Sequence, residues 1–396
     1  MVERRQRQAS VGRATVRIVW SLPVRGTRSA VGRGDLVRAR CLIQALRVDG
    51  HNVQVVGERE RPGAELTVAT YRGVVRRALP RRAGLTIRDL GRAVDARAHA
   101  RRVTDAVRDH RAELIVETQV HFGDSGAATT RATGLPLVLD DCAPVSEELV
   151  MGAGLPWLAH RLFARQLQAA SRIVVSSHVL GELMLDAGAA ADRICVVPNG
   201  VDHEAYDAIA WVNGRKANAS NGQIVVGFVG SFQRWHGVEL LIEALADLGD
   251  HPLKVALIGD GPTRLDVLRT ASRLGIRNKV EAIGSVRHEA VPRFMANFDV
   301  GVIPGSNAYG HPMKLMEYAA MGIPIVAPDL PPVREIVRDG ETAVLFEPGN
   351  PNALRHALQR LTAEPELRSS LGARARAEVA KSASWRNRAR TLLEGL

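Results

Sequence analysis

Residues 224–262 read IVVGFVGSFQRWHGVELLIEALADLGDHPLKVALIGDGP. An apolar run, IVVGFV, stops at Gly230. An amphipathic stretch, VELLIEALADLG, follows, and a second apolar run, KVALIG, leads into the turn GDGP. Both apolar runs are continuous rather than alternating, which suits strands buried on both faces, and a helix joining two such strands makes them parallel neighbours.

The same unit recurs in both directions. Before it stand TVRIVW (15–20), VQVVG (53–57), LIVE (114–117), PLVL (136–139), RIVVS (172–176) and ICVV (194–197); after it stand KVEAI (279–283), DVGVIP (299–304), IPIVA (323–327) and AVLF (343–346). Helical segments lie between, such as LVRARCLIQALRVDG (36–50), where Leu36, Ala39, Leu42, Ile43 and Leu46 form one stripe and Gly50 ends it. The alternation predicts an α/β chain with two doubly wound, Rossmann-like domains. The polar stretch 203–222 has the composition of a linker. The expected organisation is an N-terminal domain over 1–202, the linker, and a C-terminal domain over 223–380 whose last helix spans about 365–380. A final helix over 381–396 is expected to cross back to the N-terminal domain.

The chain has 396 residues, 46% hydrophobic and 24% charged, a globular balance with room for two cores. The net charge is +11, carried by 48 Arg and only five Lys, so each lysine is a less routine surface choice than usual. Residues 66–88 hold six Arg and no acid. Such a segment is either a solvated loop or a peripheral contact for anionic lipid or phosphorylated ligands. Cys41, Cys142 and Cys195 are odd in number and lack metal-ligand spacing, which argues for reducing cytoplasm and against a disulfide framework. No apolar signal core and no membrane-length apolar run is found, so any membrane contact is expected to be peripheral, at the inner face. Nucleic-acid binding finds no module and only 4% aromatic content for stacking.

No G-x-G-x-x-G, P-loop, HExxH or GxSxG motif is present. Chemistry falls instead on strand-to-helix junctions: GFVGSFQRWHGVELLIEAL (227–245), ALIGDGP (256–262), AIGSVRHEAVPRF (282–294) and VIPGSNAYGHPMKLMEYAAMG (302–322). In open α/β sheets ligands bind at that edge, and free amides at helix starts favour anions. The fourth junction puts Lys314 in the first turn of a helix, where a cation opposes the helix dipole. Either it pairs with Glu317 one turn on, or an anionic ligand is its partner.

The order and spacing of RICVVPNGVD (193–202), GSFQRWHGVELLIEA (230–244), GDGP (259–262), the G-x-V segment at 284–286, PMKLMEYAAMGIPIVA (312–327) and VRDGETAVLFEPGN (337–350) resemble the family-4 glycosyltransferases of GT-B fold, and SFxxWHG with PxKLxEY resembles one subgroup of them. The resemblance implies two domains facing a cleft, the first for the acceptor and the second for a nucleotide-diphosphate sugar. It further implies a retaining transfer of a hexose-type sugar to a hydroxyl acceptor, either an envelope or polyprenyl-linked glycan or a small metabolite. The donor would be UDP- or GDP-linked, with neither metal nor other cofactor. Glu317 matches the residue that accepts from the ribose hydroxyls. Lys314 would face the diphosphate, helped by the amides of Met313 and Leu315. Gly230, Ser231, Arg234, His236 and Gly259 would line the phosphates; Gly284, Ser285 and Val286 would read the base; Gly310 and His311 would reach the sugar. His121 stands where the family has a histidine near the reacting carbon. Arg25, Arg28, Arg33, Asp141 and Glu147 would serve the acceptor.

The chain departs from the common pattern twice. Tyr309 replaces a sugar-reading Glu, and Ser231 and His236 replace an Arg and a Lys that touch the diphosphate. These departures make a non-catalytic sugar-nucleotide binding subunit one alternative; a nucleotide-sugar epimerase of similar fold is another, against which the motifs at 193–202 and 312–327 argue. Sugar, acceptor, linkage and oligomeric state are not encoded in any motif.

Overall fold

The computed structural model describes residues 15–23, 34–57, 81–141, 144, 146, 152–203, 206, 223–248 and 253–396. The first run of elements is β1 (Arg17–Leu22), α1 (Gly34–Val48), β2 (Asn52–Gly57), α2 (Arg81–His110), β3 (Leu114–Thr118), α3 (Ser125–Thr133), β4 (Leu137–Asp141), α4 (Pro156–Ala169), β5 (Arg172–Val175), α5 (His178–Asp186) and β6 (Ile194–Val196). The strands form a six-stranded sheet in the order β2-β1-β3-β4-β5-β6, with β1 parallel to β2 and β3, and β3 parallel to β4. Ile18, Val19, Trp20, Ile115, Val116, Leu137, Val138, Ile173 and Val174 are all fully buried. The unbroken apolar runs thus mark strands covered on both faces.

The second run is β7 (Ile224–Val229), α6 (Val238–Ala246), β8 (Leu253–Ile258), α7 (Arg264–Arg273), β9 (Val280–Gly284), α8 (Val291–Met295), β10 (Val300–Val302), α9 (Met313–Ala320), β11 (Ile325–Pro328), α10 (Pro331–Arg334), β12 (Val344–Phe346), α11 (Pro351–Ala363), α12 (Pro365–Ser382) and α13 (Trp385–Leu393). Its sheet runs β12-β11-β10-β7-β8-β9, every neighbouring pair parallel. The chain winds outward from β7 to β9, then returns to the other side of β7 at β10. The β7/β10 boundary is therefore the topological switch point, where a crevice opens outside the strand ends. Successive strand residues feed opposite cores: Val255 and Leu257 pack under α6, α7 and α11, whereas Ala256 and Ile258 pack under α8, α9 and α12.

Two compact units emerge. One gathers the described residues up to 23, 42–174 and 184–195; the other gathers 34–41, 175–183 and the described residues from 196 onward. In the second, Val201 donates its amide to Ala383 O at 2.7 Å and pairs with Ser384, whose hydroxyl caps α13 by accepting from Asn387 N.

One sequence expectation is corrected here. Residues 81–88, for which a solvated loop was one of the two readings of the Arg-rich segment, are the first turns of a helix 30 residues long. Arginine is a good helix former, and Ala96, His99, Ala100, Val103 and Val107 supply a buried stripe that the arginines obscure in the sequence. Residues 66–80 lie outside the described residues. Fully buried Asp89 anchors this helix: Oδ2 accepts from the amides of Gly154 at 2.6 Å and Leu155 at 3.1 Å, just ahead of α4, and Oδ1 takes Arg88 at 2.8 Å. Asp89→Ala strands those amides and is expected to cost about 1–3 kcal/mol, measured as a lower urea midpoint at unchanged m-value.

Candidate active site

The ends of β7, β8 and β9 are laced together by backbone. Gly230 N donates to Ile258 O at 3.0 Å, Gly259 N to Gly284 O at 2.8 Å, and Phe232 N to Asp260 O at 3.0 Å. Gly259 has φ +126°, and a Cβ there would sit 1.9 Å from Gly230 O, so no other residue fits. At Gly230 a Cβ would lie 2.8 Å from Lys314 Nζ. The missing side chain leaves the space that the ammonium fills.

Across the switch point, the segment from β10 to α9 is held from behind. Ser177 Oγ donates to Tyr309 O at 2.6 Å, Asn199 Nδ2 donates to His311 O at 2.7 Å, and Asn307 Oδ1 accepts from Gly310 N at 2.8 Å. Pro312 is the N-cap of α9. Leu315 N turns back to Pro312 O at 3.1 Å, and its side chain is fully buried. The amides left at the helix start are those of Met313 and Lys314.

Lys314 does not form the ion pair that its spacing from Glu317 allowed. The residue is partly exposed, but Nζ is shut off from solvent and has no hydrogen-bond partner among the described residues. It lies 4.8 Å from the centre of the Phe228 ring. Burial lowers its pKa from the ordinary lysine range to about 8, against an opposing pull from Glu317. Glu317 is 6% exposed; Tyr206 Oη donates to its Oε1 at 3.0 Å, and His288 Nε2 stands 3.8 Å from the same oxygen. Tyr318 Oη accepts from Val229 N at 3.0 Å, pinning α9 to the end of β7.

The two histidines expected here are neutral. His236 stands where the family pattern has a Lys on the diphosphate. Burial and then Lys314 drive its pKa down to about 3, and its Nδ1 bonds Ser231 O, so it brings no charge. His311 is pushed to about 3 by burial, then by Arg38 and Arg388, and its ring is buried. Arg234 is exposed, and Trp235 is 36% exposed. Ser285 is exposed and Val286 half-buried beyond β9, while Gly284 O is taken up by Gly259.

In the first unit, β3 ends at Thr118 and a loop carries partly exposed His121 into α3. Phe122 is buried with φ +64°, rare for an aromatic residue, and Arg92 lies 5.7 Å from its ring centre. Fully buried Glu117 clamps the start of α3. Its Oε2 accepts from Ser125 Oγ, Gly126 N and, at 3.3 Å, Ser21 Oγ; Oε1 has no partner among the described residues. Ser21 Oγ also lies 3.0 Å from Nε2 of His99, which burial and Arg102 hold neutral, near 4. Sequence reading passed over Glu117, although a carboxylate inside the apolar run LIVE is itself a signal. Asp141 ends β4 with its side chain outside the described residues, as are Arg25, Arg28, Arg33 and Glu147 altogether. Among the described residues no three His, Cys, Asp or Glu gather as metal ligands, and no helix is long and apolar enough to cross a membrane.

Residues 37–205 match the model of Glycosyltransferase Family 4, and residues 211–378 match that of Glycosyl transferases group 1. Alpha-D-kanosaminyltransferase of Streptomyces kanamyceticus is 26% identical over 280 residues, 66% of this chain and 72% of that one. D-inositol 3-phosphate glycosyltransferase of Geodermatophilus obscurus is 31% identical over 221 residues, 52% of this chain and 48% of the relative. Anabaena HepE, crystallised in complex with UDP-glucose, superposes with a TM-score of 0.70 at 20% identity, covering 96% of this chain and 98% of the other. The chain is a glycosyltransferase with the GT-B fold. Within that class it is family-4-like, each half of the chain matching one of the two models.

Burial raises Glu117 from its ordinary 4.5 to about 7, against the bonds from Ser125, Gly126 and Ser21. Between those values the native state keeps a proton that the unfolded chain has lost. The stabilisation is complete below 4.5 and is lost as pH rises through 7. Glu117→Gln lacks this dependence, so from pH 5 to 7 the wild type should lose about 1.4 kcal/mol per pH unit relative to the variant. Urea midpoints at each pH check it; parallel profiles would contradict it.

Proposed function

We propose that this enzyme transfers a hexose-type sugar from a nucleotide-diphosphate donor, UDP- or GDP-linked, to a hydroxyl acceptor, with retention at the anomeric carbon and without a metal. The observation that carries this is Lys314. A buried ammonium with no hydrogen-bond partner among the described residues faces the end of β7 from a helix start, and a carboxylate stands one turn further on the same helix. A nucleoside diphosphate supplies what both lack: an anion for the ammonium and vicinal hydroxyls for Glu317. HepE, of like fold, was crystallised with UDP-glucose, which favours a donor of this kind.

In this reading the Met313 and Lys314 amides and the Lys314 ammonium hold the diphosphate oxygens as the sugar's anomeric C–O bond breaks. The acceptor oxygen bonds that carbon on the face being vacated, and its proton passes to the departing diphosphate. The protein supplies charge and orientation rather than a strong base. His121 would steady the sugar or orient the acceptor, and the Arg-rich segment 66–88 would rest on an anionic membrane face presenting a lipid-linked acceptor.

Thermal shift with UDP, GDP, ADP and dTDP is expected to give one clear stabiliser. Glu317→Ala should abolish that shift with the fold intact; an unchanged shift would remove Glu317 from the site. Lys314 gives a pH test. Unliganded it titrates near 8, and a bound diphosphate raises that value, so binding takes up about half a proton at pH 8 and weakens as pH climbs above it. Calorimetry in two buffers of different ionisation enthalpy measures the uptake. Lys314→Met should lose it, together with roughly 10–100-fold in affinity.

A further inference from the structure

We propose that Tyr206 is a positioning residue for nucleotide recognition: its hydroxyl locks the Glu317 carboxylate in the orientation that receives the two ribose hydroxyls. The inference rests on the reading of Glu317 as the ribose acceptor.

Tyr206 packs in the apolar core that covers α9, beside Val201, Leu315, Met316 and Tyr318. A phenylalanine would fill that place equally well. Among the described residues the hydroxyl donates to Glu317 Oε1, at 3.0 Å. Its proton is the one in that bond, and the phenol keeps it, because burial first and Glu317 second push it well above its ordinary value of 10. His288 Nε2, 3.8 Å from the same oxygen, adds a second polar neighbour on that side. One carboxylate oxygen is thus engaged by the protein, while Oε2 makes no bond to any described residue.

A glutamate side chain is otherwise free to turn about its last torsion, and ordering a long side chain costs free energy at the moment of binding. Engaging Oε1 fixes the carboxylate plane beforehand. Oε2 and the remaining lone pair of Oε1 are then set for vicinal hydroxyls. Tyr206 also lies on the segment whose Asn199 holds His311 O. Asn199 therefore holds the helix-start loop at His311 while Tyr206 holds α9 at Glu317, so that two residues seven positions apart align the phosphate-facing turn with the ribose-facing carboxylate.

The test compares UDP with 2′-deoxy-UDP, or the guanine pair if GDP is the stabiliser, on the full chain by calorimetry. Wild type is expected to favour the ribonucleotide by about tenfold, the range of a hydrogen bond to a charged group. Tyr206→Phe keeps the ring and should weaken UDP about five- to tenfold while leaving 2′-deoxy-UDP within twofold, so that discrimination collapses. In turnover the loss should fall on the donor KM rather than on kcat. Equal weakening of both nucleotides would reduce Tyr206 to core packing, and tighter UDP binding would make it a competitor for Oε1; either overturns the proposal. Glu317→Ala is the control. If it leaves discrimination intact, the ribose reading itself fails; if it abolishes discrimination and Tyr206→Phe does not, only the positioning role fails.

Discussion

The bond from Val229 N to Tyr318 Oη fixes a helix across the switch point of the second sheet. β7 ends there, β10 starts the return, and α9 must lie over the gap for either strand end to become a site. Gly301 on β10 makes room for the Tyr318 ring, since a Cβ there would come within 2.7 Å of it. With the helix anchored, its first turn directs Lys314 Nζ at Gly230 and Glu317 back toward Tyr206. The positions of cation and carboxylate are consequences of one buried hydroxyl accepting one amide.

Charge is sparse around that anchor. His236 and His311 are held neutral by burial and by neighbouring cations, and Arg234 is exposed to solvent. Lys314 is thus the cation buried at the end of β7, and it sits close to losing its proton. A cation buried in this way gains field strength, because nearby dielectric is low.

The strands were legible because burial on both faces writes itself as unbroken Val, Ile and Leu runs; KVALIG and LIVE need no partner to be recognised. The helix PMKLMEYAAMG was legible for a different reason, since a lysine at a helix start conflicts with local electrostatics and calls for an anionic partner. What could not be read depends on contacts between distant residues. Tyr206 and Glu317 are 111 positions apart, and nothing near Tyr206 separates it from an apolar core residue. The neutrality of His236 likewise follows from its burial beside Lys314, and α2 was hidden because arginines outnumber the few, mostly small, apolar residues of its buried stripe.

The hydrogen bonds that tie Gly230 to Ile258 and Gly259 to Gly284 make the sheet edge a ruler. From β7 to β9 is two strand spacings, about 9.5 Å, and the backbone bonds leave that length almost no play. A ligand touching both ends must match it with its own covalent skeleton. Selection by such an edge acts on the reach of a molecule, before any individual donor or acceptor is matched.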